Sequence, residues 1–169
     1  MELERLRIGM GVDVHPFADG RPLVLGGEKI PWRQGLAGHS DADVLLHAVS
    51  DALLGAAALG DIGQHFPDSD PVNRDRSSLD ILEEVSKKVV QAGCVVLHID
   101  ACIIAEEPKL APHYDAMRGN IARAVGVDTS RVGLKATTSE GLGFTGRAEG
   151  IAAQAVCLLA ADGKEGCDS

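Results

Sequence analysis

The sequence predicts an α+β domain of two layers: one mixed four-stranded-type sheet with helices on one face, plus a small N-terminal hairpin. Three helical patterns alternate with strand patterns along 169 residues, and the 45% hydrophobic content suffices for one core. The strand patterns at 94–105 and 151–160 are apolar on both faces, at least in part, so both sides of the sheet need cover. Because three helices cover only one face, we expect the other face to pack against partner subunits.

The chain shows no internal repeat, low-complexity tract or linker, so we assign residues 1–161 to a single domain and expect a disordered tail over 162–169. A hairpin turning at Gly26 and Gly27 follows the first strand. The other non-helical segments, in chain order, are loops over 35–40 and 60–75 and strands over 94–105, 132–137 and 151–160.

The three helices are predicted from caps and from apolar residues at helical spacing. Ser40 is expected to cap the first, an Ala-rich helix that runs to about residue 59 and ends at Gly60. Ser77 opens the second and Gly93 closes it. The third follows Pro112 and ends at Gly126.

The first strand carries two metal-binding side chains on one face. Even-numbered residues from Ile8 to Val14 are apolar, whereas Asp13 and His15 project from the opposite face. His47 on the first helix supplies a possible third ligand. Three N and O ligands that leave a fourth coordination position for substrate are typical of a catalytic zinc site.

The Asp-x-His pattern with a distant helical His is weak by itself. Asp43, His47 and Asp51 recur every four residues on one helix face, and residues 44–59 contain no Lys or Arg. Exposed, solubilising carboxylates are one reading of Asp43 and Asp51. We favour another reading, in which both carboxylates contact the metal-binding side chains and orient them.

Charge and composition exclude several classes of protein. The formal net charge of −9 leaves no basic stripe for nucleic acid and no attraction to anionic lipid. No window approaches the length of a membrane span, and residues 1–7 are charged and too short for a targeting segment. The four cysteines show no C-x-x-C pairing, which favours a reducing compartment. We expect a cytoplasmic protein; a mature organellar form also fits.

Four segments together resemble a known enzyme family: GVDVHPF, GHSDADVLLHAVSDALLGAAALGDIGQHFPD, AEEPKL and KATTSEGLGFTGRAEGIA. The resemblance is to 2-C-methyl-D-erythritol 2,4-cyclodiphosphate synthase, a zinc enzyme of the non-mevalonate isoprenoid pathway, and extends from about Arg7 to Ala160. It implies a homotrimer with active sites at subunit interfaces. It also implies a phosphorus–oxygen lyase that converts 4-CDP-2-C-methyl-D-erythritol 2-phosphate to the 2,4-cyclodiphosphate and releases CMP.

The resemblance also assigns roles to individual residues. Asp13, His15 and His47 would hold one zinc ion per subunit, Glu140 a second divalent cation, Mg2+ or Mn2+, and His39 and Thr138 would stabilise the transition state. The methylerythritol phosphate part would be contacted by Ser40, Asp61, Ile62, Gly63, Phe66, Pro67, Asp68, Ser69 and Asp70. The cytidine would be framed, chiefly through backbone atoms, by Ala105, Glu106, Glu107, Pro108, Lys109, Leu110 and Ala111, with Thr137 and Ser139 also in contact with substrate.

Two further residues, Phe144 and Arg147, resemble residues that meet an isoprenoid diphosphate in a cavity on the trimer axis; trimer packing explains them equally well. The segment GLGFTG fits G-x-G-x-x-G, but too little chain follows it for a dinucleotide-binding unit. Compared with the family, Ser139 stands where Thr is usual, and Glu106 and Glu107 carry more charge than many members do.

The reaction that the resemblance implies needs little acid–base chemistry, because a phosphate monoester is already anionic. It needs charge neutralisation and alignment of two phosphates. The residues alone leave two other functions open. One is a metal-dependent phosphohydrolase, and the other is a trimeric nucleotide- or isoprenoid-binding module with a structural metal.

Overall fold

The computed structural model describes residues 3–67, 69–73 and 76–162. Five strands within these residues form one mixed sheet in the order β4-β1-β7-β5-β6. Only the β5–β6 pair is parallel. The strands of this sheet are β1 (Leu6–Ala18), β4 (Gly35–Leu36), β5 (Cys94–Ile104), β6 (Val132–Thr137) and β7 (Gly150–Ala161).

The four predicted strands are therefore confirmed, and β4 adds a fifth at the edge, inside the segment expected to be a loop. The predicted hairpin is also confirmed. Its strands are β2 (Leu23–Leu25) and β3 (Glu28–Ile30), which pair in antiparallel fashion. Gly26 and Gly27 form the turn with φ of 59° and 71°, as a two-residue hairpin loop requires.

The three predicted helices are α1 (Val44–Ala56), α3 (Ser78–Gln91) and α4 (Tyr114–Val125). Two single-turn helices, α2 (Ile62–His65) and α5 (Gly143–Gly146), lie in segments expected to be irregular. Ser77 caps α3 as predicted. The predicted cap of α1 was wrong: Asp43, not Ser40, accepts the hydrogen bond from the backbone N–H of Leu46. This helix also ends at Ala56 rather than near residue 59.

Helix α1 lies directly against β1 on the covered face of the sheet. A Cβ atom at Gly9 would collide with the carbonyl oxygen of Ala52, and one at Gly11 with that of Ala48. The two glycines on the face that bears Asp13 and His15 thus let α1 approach the strand closely. That close packing sets the distance from His47 to the side chains of β1.

The opposite face of β1 has no cover within the described residues. Its apolar side chains remain largely exposed: Ile8 74%, Met10 62%, Val12 54% and Val14 46%. A monomer rarely leaves so continuous an apolar stripe in water. The face that looks apolar in the sequence is therefore turned away from the core of its own chain.

None of the helices in the described part of the chain is both long and apolar enough to cross a membrane.

Candidate active site

Three ligand atoms converge on one point at the junction of β1 and α1. Oδ2 of Asp13 lies 2.9 Å from Nε2 of His15 and 2.9 Å from Nδ1 of His47, and the two nitrogens are 3.2 Å apart. A single cation fits among them, since ligand atoms of one metal lie this close together. The structure thus brings together the three side chains that the strand alternation and the helical His indicated.

Hydrogen bonds to the second nitrogen of each imidazole fix which nitrogen faces the cluster. Nδ1 of His15 lies 2.6 Å from the carbonyl oxygen of Ala37 and must donate to it. Nε2 of His47 lies 3.0 Å from Oγ of Ser78 and 3.2 Å from Oγ of Ser40. The lone pairs of the other two nitrogens are consequently available to a metal.

Ser78 is itself oriented by a carboxylate. Its hydroxyl donates to Oδ1 of Asp41, whose Oδ2 accepts the backbone N–H of Ser78 at 3.0 Å. The chain Asp41, Ser78, His47 thus runs from the start of α3 to the cluster. Sequence reasoning missed Asp41 and Ser78, because they lie 37 residues apart and no local pattern joins them.

The charges around the cluster favour a cation. Burial by itself raises the pKa of Asp13, but hydrogen bonds from His15 and His47 outweigh it and hold that pKa well below its usual range. Burial lowers the pKa of His15, and the hydrogen bond and charge of Asp13 more than compensate, so the His15 pKa is raised. An ionised carboxylate beside two imidazoles is a donor set that suits zinc.

A cleft of about 390 Å³ opens beside the cluster. Six of the predicted catalytic and substrate-binding residues line it: His39, Ser40, Ile62, Gly63, Phe66 and Pro67. Gly38, Asn73 and Ile81 line it as well and were not predicted. The volume is in the range of small-molecule sites.

Asp43 and Asp51, which were expected to support the metal ligands, instead accept hydrogen bonds from backbone N–H groups. Asp43 is fully buried and accepts N–H bonds from Gly26 (3.0 Å), Gly27 (2.7 Å) and Leu46, so it joins the hairpin turn to α1. Burial raises its pKa to about 6 despite these bonds. Asp51 accepts the backbone N–H of Ile62 at 2.7 Å and so anchors α2.

The loop around α2 carries the remaining residues that were predicted to contact the methylerythritol phosphate part of the substrate. Asp61 caps α2 by accepting the backbone N–H of Gln64 at 2.9 Å. Asp70 accepts the backbone N–H of Val72 at 3.0 Å, and Ser69 is its neighbour in the same turn. Asp68 lies outside the described residues.

The other predicted residues form a second group at the carboxyl ends of β5 and β6. The backbone N–H of Ala105 donates to the carbonyl of Thr137 at 3.0 Å. The hydroxyl of Thr138 donates to the carboxylate of Glu140 at 2.9 Å, and both side chains are exposed. Among the described residues that line the cleft, none belongs to 105–111 or 137–140.

Phe144 and Arg147 lie in and just after α5. Phe144 is 39% exposed. Arg147 forms two hydrogen bonds to Glu149, at 2.8 and 3.0 Å, so part of its charge is neutralised within the chain.

The sequence profile of the YgbB family matches residues 6–160. The chain is 61% identical over 154 residues to the 2-C-methyl-D-erythritol 2,4-cyclodiphosphate synthase of Moorella thermoacetica, covering 91% of this chain and 94% of that protein. Identity to the synthase of Chlorobium phaeobacteroides is 57%, covering 91% and 97%. A solved structure of the synthase, in a CDP-bound form, superposes with a TM-score of 0.83 at 41% identity, covering 90% of this chain and 99% of that one.

Proposed function

Because the chain belongs to the YgbB family, we propose that it catalyses the synthase reaction of its relatives. The reaction is the metal-dependent conversion of 4-CDP-2-C-methyl-D-erythritol 2-phosphate to 2-C-methyl-D-erythritol 2,4-cyclodiphosphate with release of CMP, in non-mevalonate isoprenoid precursor biosynthesis. It makes the protein a phosphorus–oxygen lyase. The observation that carries the proposal is the convergence of Asp13, His15 and His47 at the wall of a cleft.

In the proposed reaction, an oxygen of the 2-phosphate attacks the β-phosphorus. The bond from that phosphorus to the oxygen of CMP breaks, and CMP leaves with the electron pair. The attacking phosphate is already anionic, so no general base has to remove a proton. The free-energy barrier comes mainly from aligning two negative groups, and alignment supplies up to roughly 7–11 kcal/mol in such reactions.

Asp13, His15 and His47 would hold Zn2+, which supplies positive charge to a phosphate oxygen of the substrate when bound. Glu140, an exposed carboxylate with the Thr138 hydroxyl beside it, would bind Mg2+ or Mn2+. A single carboxylate suits these cations, because phosphate oxygens of a substrate and waters complete their shell. His39 and Thr138 would donate hydrogen bonds to phosphoryl oxygens in the transition state.

The two groups of residues would contact different parts of the substrate. Residues along the cleft, from Ser40 through the α2 loop to Asp70, would seat the methylerythritol phosphate. Residues 105–111, with Thr137 and Ser139, would frame the cytidine, chiefly through backbone groups. The neighbour with bound CDP supports a nucleotide-linked substrate.

We also propose that the chain forms a homotrimer in which the cleft of one subunit faces the second group of its neighbour. The uncovered apolar stripe on β1 supports an obligate interface, and the separation of the two groups within one chain supports a shared site. Phe144 and Arg147 would then lie near an axial cavity, where an isoprenoid diphosphate is one possible ligand and trimer packing an equal explanation. The bacterial relatives support a cytoplasmic location; a mature organellar form fits as well.

Incubation of the purified protein with the CDP-linked 2-phosphate, with and without chelator, tests this proposal. Phosphorus NMR should show CMP and the cyclic diphosphate in equal amounts, and both should disappear with chelator. Inorganic phosphate or a linear product would indicate a hydrolase, in which water rather than the 2-phosphate attacks. Absence of CMP would indicate a binding module.

A further inference from the structure

A single carboxylate oxygen joins the segment after β5 to the turn after β6. Oε1 of Glu106 accepts the backbone N–H of Ser139 at 3.0 Å and that of Gly141 at 3.2 Å. The hydroxyl of Ser139 lies 3.2 Å from the same oxygen. Carboxylate oxygens form stronger hydrogen bonds to N–H donors than neutral acceptors do. The turn is therefore held from a segment 33 residues away in the chain.

Glu140 lies between the two N–H groups that Glu106 binds. Its φ is 53°, in the left-handed region that residues with a Cβ rarely adopt. Such a conformation persists when surrounding contacts hold it. The bonds from Glu106 to the residues before and after Glu140 are contacts of this kind.

A second anchor fixes the other side of the turn. The hydroxyl of Ser139 lies 2.8 Å from the carbonyl oxygen of Leu142 and accepts a hydrogen bond from Thr145 at 2.8 Å. Thr145 is buried. The turn is thus fixed both to the segment after β5 and to α5, while the carboxylate of Glu140 stays exposed and hydrogen-bonded to Thr138.

We propose that Glu106 is a positioning residue for the second divalent cation. By fixing the turn at 139–141, it aims the carboxylate of Glu140 and the hydroxyl of Thr138 at the phosphates of a nucleotide framed by residues 105–111. This inference rests on the proposed function. It goes beyond the family resemblance, which gives Glu106 only a place in the nucleotide frame.

The first test needs no catalysis. Amide hydrogen exchange of Ser139 and Gly141, followed by NMR, should be slowed in the wild type and faster by about tenfold in Glu106→Ala, because one accepting oxygen serves both N–H groups. Glu106→Gln should keep the protection, since its amide oxygen can take the place of Oε1. Glu83→Ala, which removes an exposed carboxylate on α3, is the matched control and should leave both amides unchanged.

The second test measures cation binding. Electron paramagnetic resonance titration of Mn2+ in the presence of CDP should give a dissociation constant about tenfold larger than that of the wild type in Glu106→Ala. In Glu106→Gln the dissociation constant should be close to that of the wild type. The double variant Glu106→Ala, Glu140→Ala should bind no more weakly than Glu140→Ala alone, because Glu106 acts through Glu140. CMP release should then require about tenfold more Mg2+ for half-saturation in Glu106→Ala.

Three results would overturn the inference. Rapid exchange of both amides in the wild type would show that the clamp, meaning the two hydrogen bonds that Oε1 of Glu106 accepts from Ser139 and Gly141, is not formed. This result does not depend on any variant folding. Unchanged Mn2+ affinity in a variant that has lost amide protection would show that the clamp does not position Glu140. Additive losses in the double variant would assign Glu106 a direct substrate contact. If wild type released no CMP but the clamp and Mn2+ results held, the proposed function alone would fail.

Discussion

The cluster of Asp13, His15 and His47 and the turn at 139–141 that Glu106 holds are built in different ways. In the cluster, ligands from β1 and α1 that lie up to 34 residues apart in sequence meet within 3.2 Å, behind side chains that shield most of their surface. In the turn, neighbouring strand ends are tied by hydrogen bonds, and the functional groups of Thr138 and Glu140 face solvent. All three side chains of the cluster come from one chain. The side chains of Thr138 and Glu140, in contrast, point away from the rest of their own chain.

The largest expected effect comes from removing the carboxylate of the cluster. Asp13→Ala should release the bound metal and lower CMP release by roughly 10³-fold or more, because the charge that stabilises the transition state is lost. Atomic emission measures the zinc content, and chromatography measures CMP release. Asp115→Ala, which removes a carboxylate that is 99% exposed on α4, should change neither. An Asp13 variant with full activity would exclude the cluster from the reaction.

The next prediction separates the two regions physically. Val12→Asp introduces a charge into the exposed apolar stripe of β1, so it should give monomers and lower activity by about 10²-fold, since a buried unpaired charge is costly at an interface. Zinc should still bind, because its ligands lie in one chain. Sedimentation velocity and metal analysis test this. Val90→Asp, at a 61% exposed valine on α3, is the control that should remain oligomeric and active.

A structural prediction concerns Asp43, which supports the helix of His47. Asp43→Ala should lower the free energy of unfolding by roughly 3 kcal/mol or more, because it removes a helix cap and leaves buried N–H groups of the hairpin turn without acceptors. Urea denaturation measures this loss. The amide protection of Gly141 in the native state should be unchanged. A loss below about 1 kcal/mol would show that the three bonds contribute little.

The smallest expected effect tests the hydrogen-bond chain behind His47. Ser78→Ala should weaken zinc binding by about tenfold, because partners that orient a metal-bound imidazole typically contribute that much. Competition with a chromophoric chelator measures the affinity. Ser86→Ala, at another buried serine of α3, is the matched control. Equal zinc affinity in the Ser78 variant and wild type would leave His47 oriented by its other contacts alone.

The two cluster residues on β1 could be predicted from the sequence, because strand alternation is a local signal that relates Asp13 and His15 directly. The cap of α1 could not, because Ser40 and Asp43 are both good caps, and Asp43 prevails through bonds to glycines 16 and 17 residues earlier. Strand β4 was missed because two residues carry no periodicity. The Glu106 clamp joins segments 33 residues apart and has no sequence signature.

The two faces of β1 give a similar lesson. Apolar alternation normally marks the face toward the core, yet here the apolar face is exposed and the glycine-bearing face packs on α1. Gly9 and Gly11 lie on the buried face of β1 because the backbone of α1 approaches the strand too closely to leave room for a side chain. The same close packing places Asp13 and His15 beside His47 and leaves the apolar stripe of β1 exposed.

In the proposed trimer, an active site combines the cluster of one chain with the turn of another, and subunit mixing tests this arrangement. His47→Ala and Glu140→Ala variants, each inactive alone, are unfolded together, refolded at equal concentration and assayed for CMP release. We predict about one quarter of wild-type activity, since about one pairing in four joins an intact cluster to an intact Glu140. No recovery of activity, in mixed oligomers confirmed by mass spectrometry, would rule out an active site shared between two chains.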